Sequence, residues 1–297
     1  MSTTQAADVV IIGGGIVGLS AAYFLARRGK RVVLLDKGRL AWEQSSRNWG
    51  FVRQQGRDPI ELPMIALSNR IWCGISEELD ADTEWRQGGN LALAATAEDL
   101  ARYAQDAEEA QAAGIETRVL TRKQVQALLP LLRGSFVGGL YTASDGQADP
   151  LKGTLAFARG AEREGVELRE YCAVEGIATT GGRVSGVATT QGEIRAEAVV
   201  CAAGVHSAHL ARLAGLNLPQ RAVRSSVAAT APVPHLTDLG VWAQGVGFRQ
   251  ARDGSLILGK ASAGTADHDV TLETFRNVGL FLPIYLKNRD LFHLRFG

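Results

Sequence analysis

The sequence predicts an α/β fold in which a dinucleotide-binding layer is interrupted by a second, sheet-rich domain. Three observations predict it. The stretch Asp8-Val9-Val10-Ile11-Ile12 is apolar after its first residue, as a buried parallel strand requires, and runs straight into the pattern Gly13-x-Gly15-x-x-Gly18. A helical pattern and a second apolar strand follow, closed by Asp36. Strand-like and helix-like segments then alternate along the chain, with no repeat, low-complexity segment or clear linker.

The composition permits this. With 297 residues, 46% of them hydrophobic, the chain can build one large core or two smaller ones. Lys and Arg number 32 against 31 for Asp and Glu, so the net charge of +1 points to neither nucleic acid nor an acidic membrane surface. The local basic run Arg27-Arg28-Gly29-Lys30-Arg31 reads as a helix C-terminus complementing its dipole. There are three cysteines, Cys73, Cys172 and Cys201, and no CxxC pattern. A disulfide framework or zinc site is not expected, and reduced thiols fit a cytoplasmic protein. The first strand begins within about ten residues of Met1, which leaves no room for a signal peptide. No apolar run is long enough to span a bilayer. The stretch 278–286 is short, contains Pro283, and reads as a core-facing helix or an interfacial patch.

The elements follow in order. Residues 16–28 read as a helix with apolar positions 16, 19, 23 and 26 on one face and Gly29 as its cap. Residues 31–36 are the second strand, and 44–58 a polar loop. A long helix is expected over 59–79, a strand over 90–94 and a charged, Ala-rich helix over 97–113. Thr121-x-x-Gln124 is a capping box opening a short helix before Pro130. Residues 151–165 read as a helix, Gly181-Gly182 as a hairpin turn, 196–201 as a buried strand, and 247–260 as a hairpin around Asp253-Gly254. The expected division is 1–85 with 145–215 for the dinucleotide domain, and 86–144 with 216–297 for the second.

The glycine spacing has a physical reading. Gly13 permits a tight turn leaving the strand, Gly15 lets a pyrophosphate approach the backbone, and Gly18 lets helix and strand pack closely. Ile16 and Val17 open the helix, whose unpaired N–H groups and positive dipole face the phosphates. Asp36 is placed to accept hydrogen bonds from ribose hydroxyls, which disfavours NADP and leaves NAD and FAD open. Lys37 either partners a phosphate or is solvated.

The next segment, Ser45-Ser46-Arg47-Asn48-Trp49-Gly50 followed by Val52-Arg53-Gln54-Gln55-Gly56-Arg57, resembles the D-amino-acid-oxidase-like (DAO) superfamily of FAD-dependent oxidoreductases. Within it the sequence is similar to bacterial amino-acid deaminases and dehydrogenases. The resemblance implies a Rossmann-type FAD-binding domain interleaved with a substrate domain, in the glutathione-reductase-like architecture. It implies that Ser45, Ser46, Arg47, Asn48 and Gly50 lie along the flavin diphosphate and ring. Val174 then falls at the adenine, and the glycine-ended strand leading to Ala203 and Gly204 passes the ribityl–phosphate region. The superfamily closes with a further glycine-rich strand and helix. Nothing after Arg276 supplies them, and Leu291 to Gly297 reads as an abrupt end, so a C-terminal truncation is expected.

The implied chemistry removes a hydride from the carbon bearing an amine, giving an imine that hydrolyses to an oxo acid. Positioning and the flavin carry most of it, so no catalytic side chain is assigned. A carboxylate-bearing substrate needs a cation, for which Arg53, Arg57 and Arg249 are candidates; Arg249 alternatively reads as an exposed strand arginine. His206 and His209 lack a third ligand for a metal. Trp49, Trp72, Trp85 and Trp242 read as packing, and Cys201 as a buried strand residue. The expected partners are an amino acid or amine and an electron acceptor (oxygen, a quinone or another subunit). The expected location is the cytoplasm, or the periphery of the inner membrane. The competing functions are an NAD-dependent dehydrogenase and a non-catalytic fragment or subunit.

Overall fold

The computed structural model describes residues 5–220, 222, 225–243, 245–260, 266–287, 289 and 292–296. They form two compact units, Met1–Asn48 with Pro150–Ala222 and Trp49–Asp149 with Val223–Gly297.

The first unit is an α/β layer. Its six-stranded sheet runs in the order Glu167–Arg169, Val32–Leu35, Gln5–Ile12, Gly192–Cys201, Arg183–Thr189, Val174–Thr180. The first four strands are parallel to one another and the last two form an antiparallel hairpin. Gly181 and Gly182 make its turn at φ values of 59° and 77°, a conformation that favours glycine. Val32–Leu35 is buried at every position, as a parallel strand covered on both faces must be. Val10, Ile12, Val33 and Leu35 pack with Cys172, Val187 and Ile194 in one apolar cluster. The Ile16–Ala26 helix lies against the Pro150–Arg163 helix, where Tyr23 meets Phe157 edge to face at 5.9 Å. Gly29, at φ 77°, ends the first helix as expected.

The second unit is built on a seven-stranded sheet. Its order is Val227–Ala229, Leu256–Lys260, Val246–Gln250, Gly240–Ala243, Asn90–Ala94, Gly138–Thr142, Thr117–Thr121. Only the pairing of Gly240–Ala243 with Asn90–Ala94 is parallel. Leu91, Leu120, Val125, Phe136 and Val241 fill one face. The capping box of Thr121 and Gln124 forms in full, and so does one at Thr96 and Asp99 that opens the Ala97–Ala112 helix. The expected hairpin over 247–260 forms from Val246–Gln250 and Leu256–Lys260.

The division between units differs from the expected one. Phe51–Val52 pairs with Gly146–Gln147, and Leu62 and Ala66 of the Leu62–Glu78 helix pack on Ala110 and Ile115. These contacts hold 49–85 and 145–149 in the second unit. Gln220 bonds back to Gly204 O and Ala208 N–H, which holds 216–220 in the first.

Three local expectations are corrected. The polar loop contains a one-turn helix, Gln44–Arg47, and the short strand Phe51–Val52. The Val278–Lys287 helix does not face a core: Leu280 is 56% exposed and Leu286 59%. Cys201 is exposed at the end of its strand rather than buried within it. Of the C-terminal stretch, Leu291 and Gly297 lie outside the described residues.

In the second unit Trp49 stacks on Trp242 with ring centroids 4.7 Å apart, and Gly247 and Gly259 leave the room its indole needs. A Cβ at Gly259 would fall inside the Trp49 ring. Gly259→Ala is therefore expected to cost about 1–3 kcal/mol through overpacking. The measurement is a denaturant midpoint with tryptophan emission; an unchanged midpoint and spectrum would contradict this packing.

Candidate functional site

In the first unit, the C-terminal ends of the parallel strands open into a cavity of about 800 Å³. Gly13, Gly15, Ile16 and Val17 line it, as do Asp36, Lys37, Ser45, Val174, Ala203 and Gly204. The glycines of the turn stand in different surroundings. Gly13 has φ 115°, open to glycine alone at little cost. Gly18 does not line the cavity. A Cβ there would collide with the carbonyl oxygen of Gly13, so its role is close helix–strand packing.

The helix N-terminus is prepared for an anion. The first-turn N–H groups have no acceptors within their own helix. One of them, Ile16 N–H, donates to Ser45 Oγ at 2.9 Å. The Ser45 hydroxyl proton remains available to a ligand oxygen, so the capped amide passes its polarity on. A Cβ at Gly15 would sit 3.0 Å from the same Oγ, so a side chain there would push the hydroxyl by a few tenths of an ångström.

Asp36 is fixed before any ligand arrives. Gly14 N–H donates to its Oδ2 at 2.7 Å and Gly38 N–H to its Oδ1 at 2.8 Å. Each carboxylate oxygen keeps a further lone pair for a hydroxyl. The glycine turn and the end of the second strand are thereby tied together through the acid.

Lys37 is exposed and extends this wall. Its ammonium bonds Glu43 Oε1 at 2.8 Å and His206 Nε2 at 2.7 Å. The hydrogen bond from Lys37 holds the Glu43 carboxyl below its ordinary pKa against the opposing effect of burial. Glu43 and His206 both line the cavity and neither was singled out as a binding residue from sequence. The one available signal was that His206 follows the glycine-ended strand closely.

Other expected residues are placed elsewhere. Ser46 Oγ donates to Glu43 O, Asn48 Nδ2 to Gln44 O, and the Arg47 guanidinium lies 5.5 Å from the Trp42 ring centroid. None of the three lines the cavity. Gly50 belongs to the second unit, at φ 77°, where an added Cβ would sit 2.6 Å from Arg249 Nη2. Cys201 lines the cavity, as does the buried Cys172.

The second unit has its own cavity, of about 340 Å³. Arg53 lines it, stacked over the Trp242 ring at 5.0 Å. Its Nη1 donates to the carbonyls of Gln55 and Gly56. Burial, reinforced by the nearby Arg57 charge, lowers its pKa to about 10. Among the described residues it forms no ion pair. Arg249 is neither in a cavity nor exposed. Its buried guanidinium donates to Trp49 O and to Gln147 Oε1 at 3.3 Å, and desolvation lowers its pKa. Arg57 is exposed. No group of His, Cys, Asp and Glu that could hold a metal occurs among the described residues, and no described helix is long and apolar enough to cross a membrane.

Comparison with known proteins gives a consistent result. The model of a family described as FAD dependent oxidoreductase (DAO) matches residues 8–282. The chain is 36% identical to sarcosine oxidase subunit beta of an Arthrobacter species, over 71% of this chain and 54% of that one. It is 32% identical to human mitochondrial sarcosine dehydrogenase, over 75% of this chain and 25% of that one. The chain thus spans about half the length of the first relative and a quarter of the second. Among solved structures, the L-amino acid deaminase from Proteus myxofaciens superposes with a TM-score of 0.91 at 28% identity, covering 99% of this chain and 66% of that one.

The cavity wall makes a chemical prediction of its own. Cys201 and Cys73 are exposed and Cys172 is buried. A thiol reagent is expected to modify the first two. Adenosine diphosphate at ten times its dissociation constant should slow Cys201 about tenfold and leave Cys73 unchanged. Mass spectrometry of the labelled peptides checks this; equal protection at both positions, or none at Cys201, would contradict the site.

Proposed function

The chain belongs to the DAO family of FAD-dependent oxidoreductases, and from that premise we propose that its first unit holds the ADP half of FAD while its second unit binds an amine-bearing acid for oxidation. FAD is the cofactor of the family. Bound, it supplies a two-electron acceptor for the hydride on the carbon that bears the amine. The substrate leaves as an imine, which water converts to an oxo acid and ammonia or a shorter amine.

The observation that carries this reading is the Ile16–Ser45–Asp36 wall. A pyrophosphate needs N–H and O–H donors at a helix N-terminus, and the Ile16–Ala26 helix with Ser45 provides them. A ribose needs a fixed acceptor, which Asp36 provides. An adenine needs an apolar edge with exposed backbone, and Val174 lies there beside Ala173. Lys37 and Glu43 then border the ribose end as an ion pair, with Ser46, Arg47 and Asn48 supporting the Ser45 turn from behind. In the second unit Arg53 is the cation for a substrate carboxylate; Arg249 serves instead to hold the Trp49 backbone. Removal of the proton from the substrate ammonium falls to solvent, and the chain's part is to orient and to exclude water.

The finer assignments follow the same lines. The substrate is an amino acid or a secondary amine such as the relatives' names describe. The electron acceptor is oxygen, a quinone or another subunit, the last supported by the subunit designation of the Arthrobacter relative. The location is the cytoplasm or the inner-membrane periphery, where the exposed apolar face of Val278–Lys287 would meet lipid.

The purified protein, incubated with FAD, is expected to show the visible bands of a bound flavin, and an amino acid or N-methyl amino acid should bleach them without air. A colourless protein that FAD cannot reconstitute would overturn the reading. Asp36→Ala is expected to weaken FAD binding about tenfold or more, the worth of one charge-assisted hydrogen bond. Ser45→Ala should weaken it several-fold with the thermal midpoint nearly unchanged. Calorimetric titration with FAD measures both.

A further inference from the structure

Three charged residues line the cavity of the second unit: Arg53, Asp99 and Asp106, the last two on the Ala97–Ala112 helix. Tyr103, Leu93 and Leu140 line it too. Asp106 is half-buried and has no hydrogen bond or ion pair among the described residues. Its neighbour Asp99, by contrast, is fully engaged, capping Ala95 and Thr96 N–H and pairing with Arg102 at 3.0 Å. A half-buried carboxylate without a donor is costly to keep, and so is a half-buried guanidinium without an anion. The Trp242 indole under Arg53 adds a buried Nε1–H with no partner.

Resting on the reading of this unit as the substrate domain, we propose that the cavity selects an amino acid with a cationic side chain, its carboxylate on Arg53 and its terminal ammonium on Asp106. Arg53 and Asp106 line the same cavity and, among the described residues, both lack a partner of opposite charge. They form no ion pair with each other. The charges that act on Asp106 are Arg102 and Glu109, and those that act on Arg53 are Arg57, Asp145 and Glu61. Burial raises the Asp106 pKa, and a ligand cation at that wall acts in the opposite direction. A cavity that joins a cation and a carboxylate with the apolar Leu93 and Leu140 matches a chain of methylenes between a carboxylate and an ammonium. Asp106 is then a specificity-determining residue, while the reacting amine is left to the carboxylate end.

The test is calorimetric binding of lysine, norleucine and N-methylglycine to the FAD-loaded protein, repeated for Asp106→Asn and Asp106→Glu. Lysine is expected to bind about tenfold or more tightly than norleucine, the worth of a charge-assisted bond. D106N should erase that preference and leave norleucine unchanged, while D106E retains it. Equal binding of lysine and norleucine, or a preference for N-methylglycine that D106N does not alter, overturns the proposal and leaves amine oxidation standing. Binding of none of the three to a protein that holds FAD overturns the substrate reading of this unit with it.

Discussion

Gly18 approaches the carbonyl of Gly13 so closely that no side chain fits between them, and the direction of the Ile16–Ala26 helix follows from that approach. Because the helix starts there, its first amides point past Gly15 toward Ser45. Because the turn is that tight, Gly14 N–H reaches Asp36 at the end of the neighbouring strand. Ala202 N–H closes the other side by donating to Ile12 O at 2.8 Å. The Ile16–Ser45 and Gly14–Asp36 bonds of the cavity wall are thus referred to one backbone contact, which a single methyl group would break. The energy at stake in the contact itself is small beside what it organises.

The second unit has a corresponding fixed point in Arg249. A buried guanidinium is expensive unless its donors are met. Here they are met by the Trp49 carbonyl and the Gln147 side chain. The indole of Trp49 then rests on Gly247 and Gly259 and against Trp242, which in turn floors Arg53. One arginine is used as structure, and another, stacked on that floor, lines a cavity. Gln55 and Asp145 stiffen the same stretch: Gln55 bonds Asn90 and Leu140, and Asp145 accepts the Gln54 and Gln55 amides.

How much of this could be read from sequence depended on range. Gly13 to Asp36 was legible because each requirement is local: a positive φ, a strand period, a helix start and an acid at fixed spacing. The capping box at Thr121 and the turn at Gly181 were legible for the same reason. Ser45 came only from resemblance, since a serine in a polar loop looks the same whether or not it caps a distant helix. Glu43 and His206 are 163 positions apart and meet only through the fold, so no spacing announces them. Arg249 was misread because strand periodicity tells inside from outside only when one face is uniformly apolar. Cys201 was misread because its apolar strand, expected to be buried over 196–201, is buried there only at Ala196 and ends at a cavity. The Val278–Lys287 helix was ambiguous for a related reason: an apolar segment says that something should cover it, and not what.

The first and last parallel partners of the first sheet have a consequence for how the protein is made. Gln5 pairs with Ile194 and Ile12 with Cys201. During synthesis the Gln5–Ile12 strand must therefore wait for a partner about 190 residues downstream, roughly 10–40 s at ordinary elongation rates. For that interval its apolar run Val9–Ile12 has only Val32–Leu35 beside it. The glycine turn, complete in covalent terms almost at once, has no settled strand to turn from until the far segment arrives. An unpaired apolar strand of this kind is what chaperones shield, and slow codons placed between the two segments would lengthen its exposure without altering a single residue of the finished fold.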